Sequence, residues 1–189
     1  MPTVKVTRDD WLRGAQRALA ESGVSGVSVE PIAKQLGVTR GSFYWYFKDR
    51  EALLVGALEL WESEETIGFI EELAPIAEPL ARLQTLFREA LTGDLIAGLE
   101  PAIVAHASDP VVRVVLERVT TRRLDYLTDL FAQLGLDPAA ARRQAVATYA
   151  AYLGWIELRR AAPDIAPETK GSGPLVEPAL DHLLRLLTP

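Results

Sequence analysis

The run RGSFYWYFK, residues 40–48, holds the side chains whose types and spacing could do chemistry. Read as a helix, it sets Phe43 and Phe47 four residues apart on one side, facing a core. Arg40, Gly41, Tyr44, Trp45 and Lys48 then point mostly the other way, with Tyr46 at the boundary. A surface of cations and aromatic rings is costly to leave in water unless something covers it. It suits a DNA duplex: cations and hydroxyls for phosphate, rings for sugar and thymine methyl groups. Other chemistry is poorly supplied. The chain has no cysteine, which removes disulfides, thiolate metal sites and cysteine nucleophiles. Its two histidines, His106 and His182, stand far apart in sequence, so no metal centre is expected. A phosphate loop, a G-x-S-x-G turn and a clustered acid–base set are all missing, so neither an enzyme nor a cofactor is expected.

Positioning that run requires short helices, and the residues around it supply their punctuation. Thr7 reads as an N-cap, with Asp9 and Asp10 in the first turn, where the helix dipole favours anions. Trp11, Leu12, Ala15, Ala18 and Leu19 follow at spacings of three and four, and the helix ends near Gly23. Ser28 caps a short second helix with Pro31 in its first turn, Ile32 and Leu36 on one face and Gly37 as the stop. Thr39 caps the third helix and Asp49 a fourth, DREALLVGALELWESEE, with a stripe through Leu53, Leu54, Ala57, Leu58 and Trp61. Two short helices joined by a glycine turn and packed on a longer one describe a helix-turn-helix. The charge agrees. The chain carries -6 overall, yet residues 1–50 hold eight basic against five acidic groups and the rest twelve against twenty-one. A basic head that faces phosphate and an acidic body that does not would look like this.

The stretch VSVEPIAKQLGVTRGSFYWYFKDREALL resembles the DNA-binding head of the tetracycline-repressor (TetR) family. The shared pattern, I-A-x-x-x-G-V-[ST]-x-[GP]-[ST]-[LF]-Y-x-[HY]-F-x-[DNS]-[KR]-x-x-L, runs without a gap from Ile32 through Leu53. The resemblance implies that Arg40, Gly41 and Ser42 open the recognition helix and meet base edges in the major groove. Trp45 would pack on bases or a thymine methyl. Ser28, Thr39, Tyr44, Tyr46, Lys48 and Arg50 would hold phosphates. Glu30 stands where a basic or polar base reader is commoner; it accepts from a cytosine amino group or faces solvent. Arg50 replaces the commoner lysine and adds a fork suited to phosphate.

The rest of the chain reads as helix: 79–92, 94–107, 110–134, 138–161 and 174–187, with a polar loop over 162–173. The fold class is therefore all-α. A helix-turn-helix DNA-binding domain is expected over 1–50 and a helical ligand-binding and dimerisation domain over 51–189. Trp61, Phe69, Phe87, His106, Tyr126, Phe131 and Tyr149 have the surface to wall a cavity for a small, largely apolar ligand, although most are equally suited to a core. Ala145, Tyr149, Tyr152 and Ile156 lie along one side of the 138–161 segment, and Val176, Leu180, Leu183 and Leu187 along the last helix. Two such stripes exceed what one thin bundle covers. By resemblance they pair with a second copy into a four-helix bundle, which makes a homodimer the expected state.

No apolar run of about 18 residues is present, so neither a membrane span nor a membrane partner is expected, and the cytoplasm is the default location. Together these readings imply a TetR-type transcriptional regulator, a repressor that a small molecule releases from a palindromic operator. The competing reading is a helical dimeric interaction protein, or an activator without small-molecule induction.

Overall fold

Thr7 and Asp10 start the first helix as a reciprocal capping box. The Asp10 amide donates to Thr7 Oγ1 at 3.3 Å, and the Thr7 amide to Asp10 Oδ2 at 2.7 Å. The computed structural model describes residues 6–93, 98–165 and 176–187. Helix α1 runs Arg8–Gly26 and is kinked at Gly23, whose φ of 67° and ψ of -167° are open only to glycine. Then come α2 (Val29–Gln35), α3 (Arg40–Phe43) and α4 (Arg50–Glu62). Gly37 turns the chain between α2 and α3 with φ 69°. A π-helix, Ser63–Gly68, extends α4, where the sequence periodicity predicts plain α-helix through Glu65. It is followed by α5 (Phe69–Leu73), α6 (Pro79–Thr92), α7 (Leu99–Ala105), α8 (Pro110–Gln133), α9 (Pro138–Ala161) and α10 (Val176–Leu187). Among the described residues there is no strand. Part of the predicted 94–107 helix and most of the predicted 162–173 loop lie outside the described residues.

The chain forms two compact units, Met1–Glu65 with Ile96–Arg118 and Thr66–Leu95 with Val119–Pro189. In the first, α1 packs against α2, α4 and α7. Trp11, Leu12, Ala15 and Leu19 bury their stripe with Ile32 and Ala33 of α2, and with Leu53, Leu54, Leu58 and Trp61 of α4. Phe43 closes this core edge-on to Trp11, with ring centroids 5.4 Å apart, and stacks with Phe47 at 5.5 Å. Two ion pairs fasten the end of α4: Arg13 of α1 to Glu64, and Arg118 of α8 to the buried Glu62. In the second unit Leu83, Phe87 and Leu91 of α6 meet Leu127, Leu130 and Phe131 of α8, Ala141, Ala145 and Tyr149 of α9, and Leu184 and Leu187 of α10.

Candidate nucleic-acid interface

The third helix is shorter than its sequence predicts. After Phe43 the amides of Tyr44, Trp45 and Tyr46 bond only three residues back, at 3.3, 3.3 and 3.0 Å, so the α-helix tightens into a 3₁₀ turn. Asp49, extended and capping α4 through the Ala52 amide at 2.8 Å, ends the run. The tighter turn still sorts the side chains. Phe43 and Phe47 are buried, whereas Tyr44 is 54% and Trp45 80% exposed. Thr39, Arg40, Gly41 and Lys48 are exposed on the same short stretch, and Glu30 is exposed on α2. Arg40 Nη2 reaches the Tyr44 hydroxyl at 3.4 Å, which holds the cation and the ring together.

The hydroxyls divide by what already engages them. Ser28 and Thr39 occupy extended cap positions but make no side-chain cap bond. Ser42 instead donates back to the Thr39 carbonyl at 2.7 Å. An added Cβ at Gly41 would meet only Thr39 Oγ1, at 3.7 Å, so nothing inside the protein asks for a glycine there.

Two expected phosphate holders already bond carbonyls of their own chain, although Arg50 remains exposed. The Tyr46 hydroxyl donates to the Val6 carbonyl at 2.8 Å and is half-buried. Arg50 donates from Nε to the Val27 carbonyl at 2.6 Å and from Nη2 to the Val24 carbonyl. The guanidinium thus sits at the open carbonyl end of α1, a helix with no basic residue in its own last turn.

The residues expected to wall one cavity fall in both units. Trp61 and His106 belong to the first unit; Phe69, Phe87, Tyr126, Phe131 and Tyr149 belong to the second. Trp61 is core of the first unit, and Phe87, Phe131 and Tyr149 are core of the second. His106 caps the end of α7, bonds the Ala102 carbonyl through Nδ1 at 2.8 Å and lies over the backbone of Gly23. Burial pushes the Tyr126 phenol above its ordinary value, against the pull of Arg82. Trp155 Nε1, which the sequence did not single out, is buried in the second unit with no acceptor among the described residues. A groove of about 370 Å³ runs beside α6 and α10, lined by Gln84, Thr85, Arg88, Asp181 and Arg185 among others. No sequence signal links residues so far apart in the chain.

Of the expected subunit-facing residues, Ala145, Tyr149 and Leu187 are buried within their own unit and cannot also form a face for a second copy. Tyr152, Ile156 and Leu183 are half-buried, and the side chains of Val176 and Leu180 lie outside the described residues. The exposed side of α9 is instead Val146, Ala147, Ala150, Gly154 and Leu158. His182 is exposed.

Residues 12–57 match the family model for bacterial regulatory proteins, tetR family. The chain is 47% identical over 66 residues to the HTH-type transcriptional regulator AcrR of Shigella flexneri; the match covers 34% of this chain and 29% of that protein. The chain therefore spans less than a third of that relative's length. It is 26% identical over 197 residues, 97% of each chain, to the HTH-type transcriptional regulator BetI of Paraburkholderia phymatum. In fold it is similar to AibR, whose structure was solved with isovaleryl coenzyme A and operator DNA. The TM-score is 0.70 at 19% identity, over 96% of this chain and 98% of that one.

Proposed function

We propose that the chain, whose residues 12–57 match the tetR family of bacterial regulatory proteins, is a cytoplasmic transcriptional regulator of that family, a repressor that a small molecule releases from its operator. The observation that carries this reading is the two-sided third helix and the turn after it: Phe43 and Phe47 hold it in the core while Arg40, Tyr44, Trp45 and Lys48 stand exposed to solvent on the same short stretch. Arg40, Gly41, Ser42 and Trp45 read bases in the major groove, Glu30 accepts from a cytosine amino group, and Ser28, Thr39, Tyr44 and Lys48 hold phosphates. Tyr46 serves the fold. The division of labour is a DNA-binding head over 1–50 and a body over 51–189 that takes the ligand and the second subunit.

Two copies pair through the exposed side of α9 and through α10, on which Leu186 is also exposed. A two-fold axis then sets the recognition helices about 34–36 Å apart, one turn of DNA, and demands a near-palindromic site. The body takes a small, largely apolar molecule, and the unsatisfied Trp155 Nε1 supports one that brings a hydrogen-bond acceptor. AibR, solved with an acyl coenzyme A and operator DNA, is the precedent for a chain of this fold taking both.

Selection of duplexes from a randomised library tests the reading. A palindromic consensus supports it, and recovery of no sequence above background refutes it. Once a ligand is in hand, linkage supplies the second test. If the ligand weakens operator binding 100-fold, about 2.7 kcal/mol of coupling, operator must weaken ligand binding by the same factor. Equal ligand affinities with and without operator would rule out induction.

A further inference from the structure

We infer that Arg50 is a positioning residue that closes the base of the helix-turn-helix, not a phosphate ligand. This rests on the proposed DNA-reading role of the head. The recognition unit, α2 and α3 with their turns, leaves the rest of the protein at Val27 and rejoins it at Arg50. One guanidinium joins those two ends. Nε donates to the Val27 carbonyl at 2.6 Å, and Nη2 to the Val24 carbonyl one turn earlier. Val27 is fully buried, and its own amide bonds the Val24 carbonyl at 3.2 Å, so the acceptors are fixed rather than free to swing.

The location explains the demand. Helix α1 is broken at Gly23, its last carbonyls are the negative end of a dipole, and no lysine or arginine of its own last turn meets them. Arg50 supplies the cation from the start of α4, where Asp49 caps the helix and fixes the backbone from which the side chain leaves. The commoner lysine would keep the charge but not this brace. Its chain places a methylene where arginine has Nε, so the bond to Val27 is lost although the charge remains. Phosphate binding would tolerate that exchange; a two-point brace would not. Lys48, exposed two residues earlier and 3.8 Å from Asp49, is the cation this reading leaves for phosphate at this corner.

The full-length protein is compared with its R50K, R50A and K48A variants in two measurements. Amide hydrogen exchange in the free protein reads the brace without DNA. R50K and R50A should speed exchange at the amides of Val27, Leu36, Val38 and Phe47 at least tenfold, and K48A should not. Affinity for a duplex that the wild-type protein selects from a randomised library is then measured against salt. R50K and R50A should each lose at least tenfold while keeping the wild-type salt slope. K48A should flatten the slope by roughly 2, at about 0.9 per phosphate and one phosphate per subunit. An R50K protein matching wild type in exchange and affinity overturns the inference, as does an R50A protein with normal exchange and a flattened slope. If R50A fails to fold, R50K decides alone. If the wild-type protein selects no duplex, the DNA-reading role fails, and exchange in the free protein still decides the brace.

Discussion

Replacing Gly23 by alanine should be among the most destabilising single-methyl additions this chain can take. Two separate costs meet at one atom. The backbone sits at φ 67° and ψ -167°, a region essentially closed to residues with a Cβ, at roughly 1–3 kcal/mol. The new Cβ would also lie 2.3 Å from His106 Cε1 and 2.5 Å from Nε2. The imidazole cannot simply retreat, because Nδ1 holds the Ala102 carbonyl at 2.8 Å; overpacking of this kind costs about 1–3 kcal/mol. Gly→Ala stiffens the unfolded chain and returns about 0.4–1 kcal/mol. The balance is a loss of about 3 kcal/mol. His106→Ala removes the clash but not the backbone cost, so the double variant should recover roughly 1–2 kcal/mol relative to additivity. Guanidinium unfolding of the full chain, with exchange of the α1 amides as the local readout, gives all four corners of the cycle. A G23A protein within 1 kcal/mol of wild type, or a coupling within about 0.5 kcal/mol of zero, would refute the reasoning.

Three further outcomes follow from the contacts. R118A should destabilise the first unit more than R13A, about 2 against about 1 kcal/mol, because Glu62 is 7% exposed and Glu64 30%; parallel denaturant midpoints check the order. Hydrogen bonds from Thr7 hold the Asp10 carboxyl below its ordinary value. A depressed carboxylate stabilises above its unfolded value of about 3.9, and that stability is lost as pH falls through the folded value, so D10A and wild-type unfolding curves should differ at pH 7 and converge at low pH. An added Cβ at Gly154 meets nothing, so G154E should fold, with its helix firmer by about 0.5–1 kcal/mol, yet sediment as a monomer where wild type sediments as a dimer.

The recognition unit was legible because its constraints are local. Thr7, Gly37 and Asp49 act within a few residues, and the i, i+4 pair of Phe43 and Phe47 assigns both faces of the run that contains them. What stayed hidden depends on residues distant in the chain. Arg50 reads as a phosphate cation until Val24 and Val27 are seen beneath it. His106 reads as a pocket residue until Gly23, 83 positions earlier, is found to leave the space it fills. The π-helix at Ser63–Gly68 has no composition of its own, so apolar spacing passes straight through it. The stripes on α9 and α10 mark burial truthfully, but Ala145, Tyr149 and Leu187 bury inside one subunit, and periodicity carries no label for whose core it serves.

The outward setting of Trp45 has an optical consequence. The chain has four tryptophans. Trp11 and Trp61 are sealed, Trp155 is half-buried, and Trp45 alone among them stands 80% in solvent, within the surface we propose reads DNA. The red edge of the native emission and the fraction open to iodide therefore come largely from one indole, without any label attached. Covering that surface should close the quenchable fraction and leave the sealed indoles as an internal standard, so occupancy of the head can be read in the unmodified protein by light alone.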